Sequence, residues 1–373
     1  MWKAIGAGII LFIATIFGAH NHATTATTSP INVPTQKTVK QNVAQKQIMA
    51  TSTKPIAAAT QTKIAKTPPG AAGKIVMPTI TVIQTPPAPQ IPFTTLNTLA
   101  RQAVVNILCT TQAGGPFSPI SGSGVVVSSD GVILTNAHVG QFFLLRNFNG
   151  VANAVQCVIR AGSPAYPAYN AELIYISPTW VADNKNVLIE TAPKGTGEHD
   201  YAFLLITDKV DGSPLLDPIP FLPIGLAENY FAGQYVLLDS YAAGFLGGQS
   251  ILQDLYQTSA IATTSQIYTF GSSTADLISL PGTVVSQSGS SGGAVVDGDG
   301  NLVGLISTET EGDTTGDRSL QAITTTYINR DLQSESGSSI ADLLAFPVTY
   351  AQNFNANIAP QLTEILTDAI LQK

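Results

Sequence analysis

From about residue 96 onward the chain is written in short apolar runs, each ended after roughly four to eight residues by Gly, Ser, Asn or Asp. Runs of that length, rich in Val, Ile, Tyr and Thr, are strands. Six are read at 103–110, 124–128, 132–136, 155–159, 171–176 and 201–206. Six more follow at 234–240, 258–264, 277–280, 293–296, 302–307 and 322–326. Two successive groups of six make the expected fold all-β, with two six-stranded antiparallel barrels. Helical periodicity is scarce until 358–371, where Ile358, Leu362, Ile365, Leu366 and Ala369 share one face. That segment is expected to be a terminal helix packed on one barrel, with Pro360 in its first turn.

The first 95 residues have a different texture. An uncharged apolar run fills 4–19, preceded by Lys3. This is the pattern of an export signal, so residues 1–23 are expected to be a signal peptide or a signal anchor. A run this short favours neither over the other, and an anchor would tether the chain to a membrane. Positive charge before the run directs the remainder outside the cytoplasm. Residues 24–95 are rich in Thr, Pro, Ala and Lys and hold no apolar period, which reads as a disordered linker. No Asp or Glu precedes Asp130. From residue 96, nine basic residues face twenty-four acidic ones, a net −15. A domain that acidic is a poor partner for nucleic acid, whose binding requires Lys and Arg against phosphate.

Three segments carry chemistry. In Leu134-Thr135-Asn136-Ala137-His138-Val139 an apolar strand ends in a small-residue turn bearing a histidine. Imidazole, with an unperturbed pKa of about 6.5, can exchange a proton near neutrality. In His199-Asp200-Tyr201-Ala202-Phe203-Leu204-Leu205-Ile206 an acid stands at the mouth of an apolar strand, where it can orient an imidazole. His199 beside it reads as a surface residue. In Ser288-Gly289-Ser290-Ser291-Gly292-Gly293-Ala294-Val295 glycines flank a hydroxyl on a tight turn. Such a turn can present a nucleophile and leave backbone N–H groups for a developing oxyanion.

Together these segments resemble the histidine, aspartate and serine motifs of the trypsin-like serine peptidases, in the chain order of the chymotrypsin arrangement. The resemblance covers about 96–345 and is nearest the bacterial branch that includes the HtrA (Deg) peptidases. It implies barrels at about 96–212 and 213–335, with a site in the crevice between them and a helical segment at 346–373. It also implies His138, Asp200 and Ser291 as catalytic triad, and the amides of Gly289 and Ser291 as oxyanion donors. Ser307 matches a family serine whose backbone pairs with substrate. The specificity pocket is expected near Val285, Ser286, Thr308 and Glu309. Val285 replaces the Asp of trypsin-like members, which argues for an apolar or small side chain over Arg or Lys; Glu309 pointing inward would reverse that.

Ser290 stands where animal digestive members have the Asp that receives a freed N-terminus, so that activation route is not expected. Residues 179–199 read as an added loop beside the cleft. Asp297-Gly298-Asp299-Gly300-Asn301 imitates a calcium loop but lacks its later Gly and Glu, and reads as a hairpin turn. No Cys/His cluster has zinc spacing, and neither metal nor cofactor is expected. The 47 residues after Thr326 are too few for the PDZ module of many HtrA relatives. In the barrel that the resemblance implies, Cys109 and Cys157 lie on adjacent strands and can form a disulfide; two buried thiols is the alternative. The expected function is a serine endopeptidase acting on proteins or peptides outside the cytoplasm. The competing reading is an inactive relative that binds peptides in the same crevice. Oligomeric state is not legible in the sequence.

Overall fold

The computed structural model describes residues 91–112, 118–190, 195–271, 273–309 and 314–372. The export segment at 1–23, with its apolar run 4–19, and all but the last residues of the 24–95 linker lie outside them. Among the described residues no helix is long and apolar enough to cross a membrane.

The described chain opens with helix α1 (Phe93–Ala103), which buries Leu96, Ala100 and Ala103, one residue per turn along one face. It becomes extended at Val104, where a β-branched pair starts strand β1 (Val104–Thr111). β2 (Ile120–Val126), β3 (Val132–Thr135), β4 (Val155–Ala161), β5 (Tyr166–Ile176) and β6 (Ala202–Lys209) complete a closed barrel in the order β1-β2-β3-β6-β5-β4. All four residues of β3 are buried, which is why it reads as an unbroken apolar run rather than an alternating one.

The second sheet has the order β8-β7-β11-β12-β13-β10-β9. Its strands are β7 (Tyr235–Ser240), β8 (Thr258–Thr263), β9 (Gln266–Tyr268), β10 (Leu277–Leu280), β11 (Ala294–Val296), β12 (Leu302–Glu309) and β13 (Leu320–Thr324). It therefore has seven strands where six were expected. The extra one arises at Thr264-Ser265, where the chain bends. The Thr264 amide donates to the Gln234 carbonyl at one edge, and the Ser265 amide to the Ser279 carbonyl at the other. A single bent segment thus serves both edges and curls the sheet on itself. The result, a closed six-stranded barrel followed by a curled seven-stranded sheet, is a chymotrypsin-like architecture.

The halves are cross-tied by Arg160 on β4, only 1% exposed. Its guanidinium donates to the carbonyls of Ile251 at 2.8 Å and Leu252 at 3.0 Å, in helix α4 (Gly248–Gln253) of the second half, and to Ala165 at 2.7 Å. Two shorter helices interrupt the first half, α2 (Ala137–Leu144) and α3 (Pro178–Asp183).

After β13 the chain is helical: α5 (Thr325–Ser336), α6 (Ile340–Ala345), α7 (Pro347–Asn357) and α8 (Ala359–Leu371). α8 is the terminal helix read from sequence and buries Leu362, Leu366, Ala369 and Ile370; α7 lies within the helical segment expected at 346–373, and α5 and α6 were not read. α7 packs on β5, where Phe354 meets Tyr175, and α8 on α2 and α3. The helical segment thus follows the second sheet in sequence yet covers the first barrel. Cys109 and Cys157 are paired directly across β1 and β4 and form a disulfide.

Candidate active site

β3 ends at Thr135, and Asn136 leads into α2, so His138 stands in the first turn of a helix rather than in a plain turn. Asp200 precedes β6, the neighbour of β3 in the barrel. Strand pairing therefore sets the two side by side although 62 positions separate them. Nδ1 of His138 lies 2.9 Å from Oδ2 of Asp200 and 3.2 Å from Oδ1. Oδ1 also accepts the His138 amide at 3.0 Å, and Oδ2 accepts the Ser307 hydroxyl at 2.8 Å. The Asn136 side chain donates to the Asp200 carbonyl at 2.9 Å, fixing its backbone too. Burial by itself would raise the Asp200 pKa. The His138 charge and the hydrogen bonds from His138 and Ser307 outweigh it and hold the carboxyl below its ordinary value.

The Gly/Ser loop is anchored from both halves. In the first barrel the Ser123 amide donates to the Ser291 carbonyl at 2.8 Å. The Ser123 hydroxyl donates to the Gly289 carbonyl at 2.8 Å and accepts the Tyr241 amide at 2.9 Å. From below, the buried Ser290 hydroxyl lies 2.6 Å from the Val285 carbonyl and 2.9 Å from the Ser240 hydroxyl. Gly292, at φ +84°, has no room for a side chain, since a Cβ would lie 1.9 Å from the Ser123 carbonyl oxygen. The amides of Ser290 and Gly292 donate to the carbonyls of Gln287 and Ile306. No acceptor among the described residues takes the amides of Gly289 or Ser291. Alternate amides of the loop are thus tied down and left available. The Ser291 hydroxyl makes a long bond, 3.4 Å, to the Ser307 carbonyl.

Ser307 has a part that sequence reading missed. The register of β12 against β13 slips between Ile306 and Thr308, so Ser307 is a bulge. A bulge re-aims its side chain, here toward Asp200. Ser123 and Asn136 were missed as well, because their roles depend on contacts far from them in sequence. The residues expected at a specificity pocket each have their own partners. Val285 is fully buried and packed in the core of the second sheet with Ile278 and Leu280. Ser286 is buried, and its hydroxyl accepts the Thr283 amide. Its carbonyl lies 3.5 Å from the buried guanidinium of Arg318, a cation that nothing in the sequence pattern marked. The Thr308 hydroxyl donates to Gln321. Glu309 ends β12, and its side chain lies outside the described residues. The 179–199 segment contains α3, which packs on α8, and residues 191–194 lie outside the described set. Residues 297–301 turn between β11 and β12, with Oδ1 of Asp297 accepting the amides of Asp299 and Asn301.

His199 is not the plain surface residue expected. Its ring is 24% exposed, and its backbone adopts φ +58°. Nδ1 lies 2.8 Å from Oδ2 of Asp331 on α5, and its amide donates to the Tyr327 hydroxyl at 3.2 Å. The hydrogen bond to Asp331 raises the His199 pKa, against the opposing effect of burial.

Residues 122–305 match the family model described as a trypsin-like peptidase domain. A crystal structure of the serine endoprotease from Yersinia pestis is similar at 20% identity, with a TM-score of 0.41. The likeness covers 65% of this chain and 66% of that one, so the chain spans just under two thirds of that protein's length. No curated protein matches. The matched family span runs from β2 into β12 and includes His138, Asp200 and Ser291. This chain carries a trypsin-like peptidase domain.

Proposed function

We propose that the domain is a serine endopeptidase that cleaves proteins or peptides through an acyl-enzyme, outside the cytoplasm. The observation that carries the reading is the Asp200 carboxylate held against Nδ1 of His138. That hydrogen bond leaves Nε2 as the basic nitrogen of the ring. Nε2 takes the Ser291 proton as Oγ attacks the substrate carbonyl, and returns it to the leaving amine. Water then attacks the ester by the same proton path. The bond from Ser291 to the Ser307 carbonyl is too long to hold the hydroxyl firmly. The amides of Gly289 and Ser291 suit the oxyanion, and removing one such donor typically costs on the order of 3 kcal/mol of barrier. Asp200 stays ionised throughout, which its three donors favour.

Localisation is the part of the proposal that rests on sequence alone. Residues 1–23 act as signal or anchor, and 24–95 as the linker that separates it from the peptidase domain. The test of the catalytic reading is a fluorophosphonate probe on the purified chain, followed by mapping of the modified residue. Ser291 should be labelled, and Ser291→Ala should lose both label and nearly all peptide hydrolysis. Wild-type turnover in Ser291→Ala would refute the triad. An unlabelled, inactive wild type with an intact fold would favour the inactive peptide-binding relative.

A further inference from the structure

Among the described residues, one cluster of metal-ligating side chains lies outside the site just described. Asp331 and Glu335 are one turn apart on the same face of α5. Both face His199, so that Nδ1, an Asp331 oxygen and a Glu335 oxygen lie within 4.8 Å of one another. Nδ1 is 2.8 Å from Oδ2 of Asp331 and 3.9 Å from Oε1 of Glu335. Donors on a tetrahedral ion with bonds of about 2.0–2.1 Å stand roughly 3.3 Å apart, between those two values. His199 and Asp331, though not Glu335, line an open cleft of about 270 Å³ with Glu198, Tyr327 and Arg330, through which an ion and its waters could enter.

The surroundings are those of ligands already held in place. Glu335 accepts the Tyr175 hydroxyl at 2.7 Å and the Ser177 hydroxyl at 3.0 Å, which orients its carboxylate. Glu198 adds a third carboxylate, 4.0 Å from Nε2 of His199 and beyond hydrogen-bond reach. Charge points the same way. Three carboxylates surround one imidazole, while the neighbouring Arg330 is engaged by Glu228 and Asp276. A proton on Nδ1 can serve one carboxylate, whereas a divalent ion serves two.

A second observation is independent of the cluster. Tyr201 is fully buried, and its hydroxyl makes no hydrogen bond of good geometry among the described residues. Its ring is stacked on Tyr175, and its hydroxyl lies in the field of both Asp331 and Glu335. The Tyr175 hydroxyl beside it is already given to Glu335, so this buried hydroxyl can take a further partner. A water on an ion held by these carboxylates would supply one.

We propose that His199, Asp331 and Glu335 form a structural site for a divalent transition cation of the zinc class. One imidazole nitrogen and two carboxylate oxygens suit that class better than calcium, which takes oxygen ligands throughout. The ion ties α5 to the loop that carries Asp200. The site stands apart from the catalytic proposal and does not depend on it.

The test uses the full, tag-free chain, stripped with a chelator and dialysed. Titration with zinc chloride in a calorimeter should give one equivalent bound per chain. A hundredfold excess over Kd should raise Tm by about 5 °C or more. Asp331→Asn and Glu335→Gln should each lose the uptake and the shift. His138→Ala should keep both, which separates this site from the other histidine–aspartate pair. Cobalt(II) on the wild-type chain should give visible ligand-field bands, a readout that needs no variant to fold. The proposal is overturned if zinc gives neither uptake nor shift, or if cobalt gives no bands. It is equally overturned if both carboxylate variants bind as the wild type does, if His138→Ala abolishes uptake, or if calcium binds and zinc does not.

Discussion

Asp200 and Asp239 are both buried, and their surroundings drive their pKa values in opposite directions. Asp200 has three donors at its oxygens, one of them an imidazole, and its pKa falls. The stability it contributes is present above its unfolded pKa and is lost only as pH drops through the lower folded value. Asp239 on β7 is fully buried, with one hydroxyl, Ser259, at 3.2 Å from Oδ1 and nothing among the described residues at Oδ2. Burial pushes its pKa up to about 7, opposed by the charge of Arg101. A raised acid works the other way. The folded state is favoured fully below the ordinary value of 3.8, and that advantage goes as pH rises through about 7. We therefore expect wild-type Tm to fall between about pH 4 and 7, by a free energy of at most about 4 kcal/mol. Asp239→Asn should flatten that part of the curve. Parallel melting curves for the two proteins would show that Asp239 does not titrate there.

Cys109 and Cys157 are directly opposite on β1 and β4, a pairing that the barrel's closure creates. The bond closes a loop spanning 48 positions, worth about 4 kcal/mol in the chain-entropy model. Reduction should lower Tm by about 10 °C, and alanine at both positions should do the same. An unchanged Tm on full reduction would remove the disulfide from any account of this barrel's stability. The strands were legible in the sequence because each is bounded by turn residues and many are buried on both faces. Helices were less so. Ala137–Leu144 is buried nearly all round, so its apolar residues show no helical stripe. Thr325–Ser336 buries only Tyr327, Ile328 and Leu332 as apolar anchors, too few to set a period. Its ends were marked nonetheless, by the Thr324 cap and by Gly337 at φ +76°. The His138–Asp200–Ser291 set was legible as three local motifs. The Ser307 hydroxyl was not, because a bulge is a property of register between two strands. The His199–Asp331 contact, 132 positions apart, was invisible for the same kind of reason.

Across the whole molecule, charge and hydropathy divide the sequence near residue 96, the point where strand-like texture begins. If residues 1–23 direct export, the peptidase domain of the full chain should be cut by protease added to intact cells. Removing residues 1–23 should leave it in the cytoplasm. A full-length domain that stays protected in intact cells would refute the proposed location. The return of the C-terminal helices to the first barrel bears on the order in which the protein can form. Thr363 bonds to the Leu144 carbonyl 219 positions earlier, and Phe354 covers Tyr175. Arg160 on β4 likewise waits for the carbonyls of Ile251 and Leu252. The first barrel leaves the ribosome well before any of these partners, so it emerges with an open apolar flank and a cation that lacks two of its carbonyl partners. Contacts this distant slow folding, since loop closure must come before the contacts that reward it. His138 and Asp200 sit in that late-finishing barrel, and the second sheet supplies Ser291. On the proposed function, assembly of the triad waits until synthesis has passed the last helix, so a nascent fragment would lack the means of acting on its neighbours.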